Sequence, residues 1–337
     1  MRAVELKHFG LEGLAVGTRE VQRPGAGEVL VKMHAASINY HDLATILGMA
    51  NPRLAFPVVP LSDGAGEIVE VGEGVTDFSV GDRVASLFFQ GWNAGEPTRA
   101  RLSRVTGETT DGVLQEYWRV KTDGIIKVPD YLNYQEVATL PCAALTAWRA
   151  VVVEGKVKAG DKVLIQGTGG VSIFALQFCK LLGAETIVIS SSQEKLEKAQ
   201  ALGADHLVNY KEHPEWFKPV KALSGGEGVD LVVEVGGSGT LVQSLRSVRI
   251  GGHVSMIGVL TGVANTVPTA MIMAMNVAVK GITVAHQDDF KAMLRAMQQA
   301  KLKPQIGEVF GFEECAKAIS TMQAAKHFGK IVLDYAR

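Results

Sequence analysis

Glycines follow an apolar run in the second half of the chain. Residues 163–172 read VLIQGTGGVS, and an apolar helical pattern continues beyond them. Such a turn can bind the pyrophosphate of a dinucleotide. Glycines lack Cβ atoms, so the phosphates can come close to the backbone N–H groups and to the positive end of the helix dipole. Ser172 replaces the third glycine of the G-x-G-x-x-G fingerprint. The predicted pyrophosphate site comprises Gly167, Thr168, Gly169, Gly170 and Val171.

Hydroxyl and ammonium groups stand where the next strand of this pattern ends. NAD-binding sites usually carry Asp or Glu about 20 residues after the glycines, where it accepts hydrogen bonds from the ribose. This chain instead has Ser190, Ser191 and Ser192, followed by Lys195. Such groups suit the extra phosphate of NADP(H), so we expect that cofactor, with Tyr210 as a neighbour. The alternative is that the serines cap a helix and Lys195 is a solvated helix residue.

A short polar run in the first half of the chain carries groups suited to proton transfer. A phenol or an imidazole beside a reduced acceptor can give it a proton, so Tyr40 and His41 are the candidate donors, and Tyr40 is preferred. The Asn39 amide suits a hydrogen bond to a ribose or an acceptor carbonyl, although a turn or helix cap explains it equally well. Asp42 is expected to be structural, and packing alone would account for a buried His41.

Aromatic residues and two further glycine turns complete the candidate site. Phe88, Phe89 and Trp92 either line an apolar pocket or belong to the core. Residues 91–108, which are polar and rich in Gly, Arg and Thr, are predicted to form an exposed loop. Turns after two later strands should border the ribose and nicotinamide, because ligands bind at the carboxyl ends of parallel strands. These turns contain Gly236, Gly258, Val259 and Leu260.

The elements that must position these groups fall into two patterns. Up to residue 127, short β-branched runs alternate with turns, which is typical of an antiparallel β domain. From residue 128, apolar strands alternate with helices, which predicts a doubly wound parallel sheet covered on both faces. We expect the segment from 288 onward to return to the first domain. The predicted fold is α/β, with domains at 1–127 plus 288–337 and at 128–287.

Several elements are predicted individually. Strands are expected at 27–33, 66–72, 80–86, 163–166, 186–190, 206–208, 229–235, 253–257, 281–285 and 330–334. Helices are expected at 171–182, 193–202, 288–300 and 313–325. Ser191 and Glu194 have capping-box spacing at the second of these helices.

Composition limits the partners. The 337 residues, 47% of them hydrophobic, suffice for two domains. The 34 basic and 35 acidic side chains include no basic cluster, which argues against nucleic-acid binding. Three cysteines are a poor disulfide framework, and we expect reduced thiols. No export signal or membrane-spanning run is visible, so the cytoplasm is the expected location.

With these motifs in place, the chain resembles the medium-chain dehydrogenase/reductase superfamily, in its zinc-free, quinone-oxidoreductase-like branch. The resemblance covers nearly the whole chain and rests on GAGEIVEVG at 64–72, GDRV at 81–84, LTAW at 145–148, GTGGVS at 167–172 and KHFGK at 326–330. It implies a GroES-like catalytic domain, a Rossmann cofactor domain and an active cleft between them. It also implies that Thr146 lies near the nicotinamide, that His41 faces the cleft, and that the last Rossmann strand pairs in a homodimer.

The same resemblance bears on zinc. The ligand positions of the zinc alcohol dehydrogenases match Asn39, Ser62 with Asp63, and Cys142 in this chain. These residues are not a credible tetrahedral set, and a lobe of four clustered cysteines is absent, so no zinc is expected. Cys142 is then expected to be a small residue at the cleft.

Without a Lewis acid, hydride transfer is best suited to activated acceptors. The sequence therefore predicts a zinc-independent, NADPH-dependent oxidoreductase that reduces a small apolar quinone or α,β-unsaturated carbonyl. One alternative is an alcohol or aldehyde dehydrogenase with a metal held by Cys142, His41 and Asp63. Another is a non-catalytic NADPH-binding sensor or structural protein.

Overall fold

The computed structural model describes residues 1–264 and 266–337. They form two compact units: unit 1 comprises Met1–Ala143 and His286–Arg337, and unit 2 comprises Ala144–Ala285. The strands are β1 (Arg2–Leu6), β2 (Leu14–Thr18), β3 (Glu28–Ser37), β4 (Asp63–Val71), β5 (Arg83–Ser86), β6 (Tyr117–Lys121), β7 (Ile125–Lys127), β8 (Lys162–Gln166), β9 (Glu185–Ser190), β10 (His206–Asn209), β11 (Val229–Glu234), β12 (Val248–Met256), β13 (Ala278–Gly281), β14 (Ile306–Gly311) and β15 (Lys330–Asp334). The α-helices are α1 (Tyr40–Ile46), α2 (Tyr134–Ala138), α3 (Leu145–Trp148), α4 (Gly170–Leu182), α5 (Gln193–Ala201), α6 (Phe217–Leu223), α7 (Leu241–Ser247), α8 (Thr269–Ala274), α9 (Gln287–Ala300) and α10 (Cys315–Gln323).

Unit 2 is built on a parallel sheet with the strand order β10-β9-β8-β11-β12-β13. Val163, Leu164 and Ile165 of β8 are fully buried, as expected for a strand covered on both faces. Helix α4 follows β8 and ends at Gly183, whose φ of 76° is left-handed. This order is that of dinucleotide-binding folds. The α/β fold class predicted from the sequence is confirmed.

The last strand of this sheet was predicted wrongly at 281–285. It lies at Ala278–Gly281, where it pairs with β12. All four of its residues are exposed because β13 is an edge strand, whereas Ile282, Val284 and Ala285 are buried. The apolar run in the sequence therefore corresponds to the buried segment that follows the strand.

Unit 1 contains a largely antiparallel sheet with the order β14-β15-β3-β4-β5-β7, to which β6 adds by pairing with β3. The long strand β3 pairs with strands from distant parts of the chain. Its first half pairs with β6, and its second half pairs with β15, where Ser37 lies opposite Val332. The buried side chains of these strands form one core with those of α1 and α10.

Residues 128–143 lie in unit 1, although the change of pattern at 128 suggested that they begin the second domain. Helix α2 contacts β3, β4 and β15. The Gln135 amide donates to Asp334 over 2.9 Å, and the Lys303 ammonium donates to Glu136 over 2.8 Å. These contacts hold residues 128–143 on the sheet of unit 1, although their sequence pattern resembles that of unit 2.

The loop at 91–108 is exposed only in its middle. Trp92 is 1% exposed, and the Thr106 hydroxyl donates to the Leu87 carbonyl over 2.7 Å. Phe89 and Val105 form a bridge that closes the base of the loop. The prediction of an exposed loop was wrong for its two ends, because residues of both ends enter the core. Within 1–264 and 266–337, no helix is long and apolar enough to cross a membrane.

Candidate functional site

The predicted pyrophosphate turn lies between β8 and α4. Gly167 has a φ of 72°, and its N–H group donates to the Ile189 carbonyl of β9 over 2.7 Å. The Ser172 hydroxyl donates to the Gln166 carbonyl over 2.6 Å, so the residue that replaces the third glycine ties the turn to β8. The first N–H groups of α4 have no acceptor within the helix. This turn fits a pyrophosphate, with Gly169 at the start of α4.

The residues predicted to select NADP(H) lie at the carboxyl ends of β9 and β10 and, for Lys195, in the first turn of α5. The Tyr210 N–H group donates to the Ser190 carbonyl over 3.1 Å, which holds Tyr210 beside the end of β9. Ser192 caps α5 by accepting the Lys195 N–H bond over 3.4 Å, so the prediction of a cap at Ser191 was wrong by one position. Burial lowers the pKa of the Lys195 ammonium. The structure therefore brings these residues to one edge of the sheet.

The turns after β11 and β12 pack against each other. The Thr261 N–H group donates to the Gly236 carbonyl over 2.7 Å. A Cβ on Gly258 would lie 2.1 Å from the Val235 carbonyl oxygen, so only glycine fits there. Val259 and Leu260, which follow, are exposed. Thr146, predicted to lie near the nicotinamide, is buried in α3, and that role stays a prediction.

A buried carboxylate that the sequence analysis missed holds these turns. Glu234 ends β11 and is fully buried. Its Oε1 accepts from the N–H groups of Gly236 and Gly237 and from the Thr240 hydroxyl, and its Oε2 accepts from the Gln166 amide and the Ser244 hydroxyl. Because Gln166 ends β8, this carboxylate links the pyrophosphate turn to the turn after β11. The signal available in the sequence was an acidic residue ending an apolar strand.

Unit 1 holds a second group of buried polar residues, here named the polar centre: Asn39, Asp42, Ser62, Asp63, Cys142 and Lys330. The Asn39 amide donates to the Ser62 hydroxyl over 3.2 Å, and that hydroxyl donates to Asp63 Oδ1 over 2.8 Å. Asp63 Oδ2 accepts the Cys142 N–H bond over 2.9 Å. The residues that match zinc-ligand positions are therefore joined to one another by hydrogen bonds.

A buried ammonium completes the polar centre, and the sequence analysis did not assign it. Lys330 is 3% exposed, and its Nζ donates to the Asn39 amide oxygen over 2.5 Å and to the Ile38 carbonyl over 2.7 Å. Burial lowers the Lys330 pKa, and the Asp63 charge opposes that effect. Lys330 was visible only as the last letter of the KHFGK motif.

The two carboxyl groups of the polar centre are buried close to each other. Asp42 accepts N–H bonds from Asn39 over 2.7 Å and from Ser62 over 3.1 Å, which confirms its predicted structural role. Burial raises the pKa of Asp42 to about 6, and the Asp63 charge adds to that rise. Burial also raises the pKa of Asp63. The polar centre thus carries two acidic groups and one ammonium that are almost completely buried.

The donors of the polar centre do not fit a zinc ion. The positions that match zinc ligands carry an amide, a hydroxyl, a carboxylate and the half-buried Cys142 thiol. The Lys330 ammonium is hydrogen-bonded to the amide. Zinc needs at least three converging protein donors, and a fixed cation beside them opposes its binding. In the part of the chain that the structure describes, no group of three or more His, Cys, Asp or Glu side chains is arranged to hold a metal ion.

The two candidate proton donors differ in their surroundings. His41 Nε2 lies 2.8 Å from Glu108 Oε2, and this hydrogen bond lowers the Glu108 pKa. The His41 ring also meets the edge of Phe88, with centroids 5.0 Å apart. Tyr40 is 38% exposed, and its hydroxyl makes no hydrogen bond within residues 1–264 and 266–337. Glu108 was not predicted as a site residue, because it closes the loop expected to be exposed.

The three predicted pocket aromatics are buried. Phe88, Phe89 and Trp92 are 6%, 9% and 1% exposed, and they contact one another edge to face. Of these, Phe88 reaches His41. The structure therefore joins one of the three directly to the candidate site residues of unit 1.

The strand order of unit 2 and its glycine turns are those of dinucleotide-binding domains, here joined to a β-rich unit. The family "Zinc-binding dehydrogenase" matches residues 170–299, and "Alcohol dehydrogenase GroES-like domain" matches residues 25–130. A zinc-type alcohol dehydrogenase-like protein of Schizosaccharomyces pombe is 41% identical over 318 residues, which cover 93% of this chain and 92% of the relative. The chain belongs to the medium-chain dehydrogenase/reductase superfamily, and the GroES-like and Rossmann expectations are confirmed.

Two further similarities concern chemistry. An acryloyl-coenzyme A reductase of Metallosphaera sedula is 30% identical over 333 residues, covering 94% of this chain and 95% of that protein. The solved structure of an NAD-dependent alcohol dehydrogenase is 34% identical with a TM-score of 0.91, covering 99% of both chains.

Proposed function

We propose that this protein is a zinc-independent, NADPH-dependent reductase of a small apolar quinone or α,β-unsaturated carbonyl. The observation that carries the proposal is the polar centre, where hydrogen-bonded Asn39, Ser62 and Asp63 adjoin the buried Lys330 ammonium. Activated acceptors take a hydride without a Lewis acid, whereas an alcohol needs help to form an alkoxide. The similarity to an acryloyl-coenzyme A reductase supports reduction of an activated C=C bond.

Unit 2 supplies the cofactor site in this proposal. Reduced nicotinamide, when bound, provides the hydride. The turn at 167–171 holds the pyrophosphate with backbone N–H groups. Ser190, Ser191, Lys195 and Tyr210 receive the 2′-phosphate, and Glu234 keeps the turns that border the ribose in place.

Unit 1 supplies the groups that meet the acceptor. Asn39, Tyr40 and His41 stand at the end of β3 and the start of α1. The Asn39 amide orients a carbonyl or ribose, and Tyr40 or His41 provides the proton that completes reduction. Cys142 is a small residue at the edge of the polar centre.

A second candidate is alcohol or aldehyde turnover, which the NAD-dependent alcohol dehydrogenase similarity favours. It requires a metal held by residues such as Cys142, His41 and Asp63. In the structure, Asp63 accepts from the Cys142 N–H group, and His41 contacts Glu108. Binding a metal would require Asp63 and His41 to give up these hydrogen bonds, so this function ranks second.

We further propose that the protein forms a homodimer through β13. This strand lies at the edge of the unit 2 sheet, and its residues are exposed. Met273 of the neighbouring helix α8 is 75% exposed. An exposed edge strand with apolar neighbours is a template for pairing with a second copy.

The first experiment combines metal analysis with cofactor titration and turnover. Protein free of zinc should bind NADPH more tightly than NADH and oxidise it with a quinone or an enal. Equal or reversed cofactor preference would remove the NADPH assignment. Stoichiometric zinc with alcohol turnover would favour the second candidate, and binding without turnover across the acceptor panel would favour a sensor.

The pyrophosphate turn offers a sharper variant. Gly169 has a φ of −77°, which any residue adopts, so Gly169→Val changes the surface of the turn without backbone strain. We expect NADPH affinity to fall at least about 100-fold while the melting temperature stays the same, since the valine side chain would occupy the approach of the phosphates. Unaltered affinity would refute the cofactor site. Gly167 is unsuitable for this test, because its φ of 72° is left-handed and a side chain there would strain the turn.

A further inference from the structure

His41 and Glu108 form a pair outside the hydrogen-bonded network of the polar centre. His41 Nε2 and Glu108 Oε2 are 2.8 Å apart, and their side chains are 31% and 11% exposed. The other ring nitrogen, Nδ1, has no hydrogen-bond partner in the described part of the chain. One edge of the imidazole is therefore held by a carboxylate, and the other is open to a ligand.

The Glu108 carboxylate is fixed by its own surroundings. The Glu108 N–H group donates to the Val105 carbonyl over 3.2 Å, and the Gly107 N–H group donates to the Thr110 carbonyl over 3.0 Å. A Cβ on Gly107 would lie 2.6 Å from the Leu61 carbonyl carbon, so the backbone here packs tightly. These contacts fix the backbone of Glu108, and a side-chain hydrogen bond from Asn51 joins that of His41 in holding the carboxylate.

We propose that Glu108 is a positioning residue that holds Nε2–H of His41, so that the protonated ring presents Nδ1–H to the acceptor. The inference rests on the proposed function and selects His41 over Tyr40 as the proton donor. The Tyr40 hydroxyl, without a partner in the described residues, is not oriented by the protein. The anionic groups facing His41 are Glu108 and Asp42 of the polar centre.

The proposed step balances for an α,β-unsaturated carbonyl. A C–H bond of the reduced nicotinamide would break and supply the hydride, which forms the new C–H bond at the β-carbon, so the nicotinamide is oxidised and the acceptor is reduced. The former C=C electron pair moves toward the α-carbon and carbonyl oxygen, where it takes the proton from Nδ1 of His41. The N–H bond breaks, the ring becomes neutral with its remaining proton on Nε2 facing Glu108, and water restores the second proton.

The test compares Glu108→Gln, His41→Gln and the double variant with the wild type. Glu108→Gln keeps the shape but removes the charge, so we expect kcat to fall about 10- to 100-fold with NADPH affinity unchanged. The double variant should lose no more than His41→Gln alone, since the pair acts as a unit. Glu96→Gln, in the exposed middle of the same loop, is the matched control.

A second readout does not depend on turnover. In protein with 15N-labelled histidine, the Nε2 signal of His41, assigned by its loss in His41→Gln, should shift in Glu108→Gln and stay in Glu96→Gln. No shift would overturn the pairing. If the wild type reduces an acceptor and Glu108→Gln keeps full kcat, or if Tyr40→Phe loses activity and His41→Gln does not, the inference fails. If the wild type reduces no acceptor while the signal shifts, the proposed function fails and the pairing stands.

Discussion

Two buried carboxylates, one in each unit, are stabilised in different ways. Glu234 in unit 2 accepts only from neutral N–H and O–H donors of nearby residues. Asp63 in unit 1 accepts from the Ser62 hydroxyl and the Cys142 N–H group, and it also faces the Lys330 ammonium and the Asp42 carboxyl. One site is built from dipoles, and the other is built from opposed charges.

The difference indicates two kinds of function. Fixed dipoles around Glu234 hold backbone turns in one geometry, which suits a cofactor site that must be ready before binding. Opposed charges in the polar centre depend on protonation, because burial raises the pKa of Asp42 and Asp63 and lowers that of Lys330. The stability of unit 1 should therefore depend on charge and pH, whereas the stability of unit 2 should depend on hydrogen-bond geometry.

The largest expected effect comes from removing the ammonium. Lys330→Met leaves Asp63 and Asp42 without their buried cation and removes two hydrogen bonds, so we expect the unfolding free energy to fall by about 3–5 kcal/mol. Denaturant unfolding measures this loss. Lys317→Met is the control, because that lysine is exposed and its ion pair contributes little. A loss no greater than that of the control would show that the charges of the polar centre do not matter.

A smaller effect should appear as pH dependence. The Asp42 pKa lies at about 6 in the folded protein against an ordinary value of 3.8, so the folded state binds the proton more tightly than the unfolded chain does. The unfolding free energy should therefore fall as pH rises from about 4 through 6, by up to about 3 kcal/mol, and then level off. Asp42→Asn should flatten this part of the curve, measured by unfolding from pH 4 to 8. If the unfolding free energies of the wild type and Asp42→Asn changed with pH in parallel, Asp42 would not be the source of this pH dependence.

The smallest expected loss of stability comes from the buried carboxylate of unit 2. Glu234→Gln keeps one acceptor oxygen and places an NH2 group among donors, so we expect the unfolding free energy to fall by about 2 kcal/mol. Unfolding by urea measures this loss. Glu227→Gln, at an exposed position, is the control. A loss no greater than that of the control would show that the hydrogen bonds of this carboxylate do not stabilise the turns.

Local patterns predicted the elements that are buried on both faces. The strands β8, β9 and β11 lie within one residue of their predicted bounds, because an apolar run reports burial directly. The exposed edge strand β13 carries no such signal, and its position was missed. The turn at 167–171 was predicted because a cluster of glycines stands between an apolar strand and an apolar helix, which the sequence displays directly.

The contacts of the site depend on long-range folding. Lys330 and Asn39 are 291 residues apart in the chain but in hydrogen-bond contact. Glu108 reaches His41 across 67 residues from a loop whose composition indicated exposure. Residue type names the groups that can do chemistry, whereas their partners follow from strand pairing and loop packing that no local pattern contains.

The pairing of β3 with β15 also sets an order for biosynthesis. Unit 2 is one continuous segment, Ala144–Ala285, whereas unit 1 needs His286–Arg337 to complete its sheet. A chain emerging from the ribosome carries all of unit 2 before the strand that covers Ala35–Ser37 of β3 has been made. Until β15 has left the ribosome, that edge of β3 stays unpaired and open to the strands of other nascent chains.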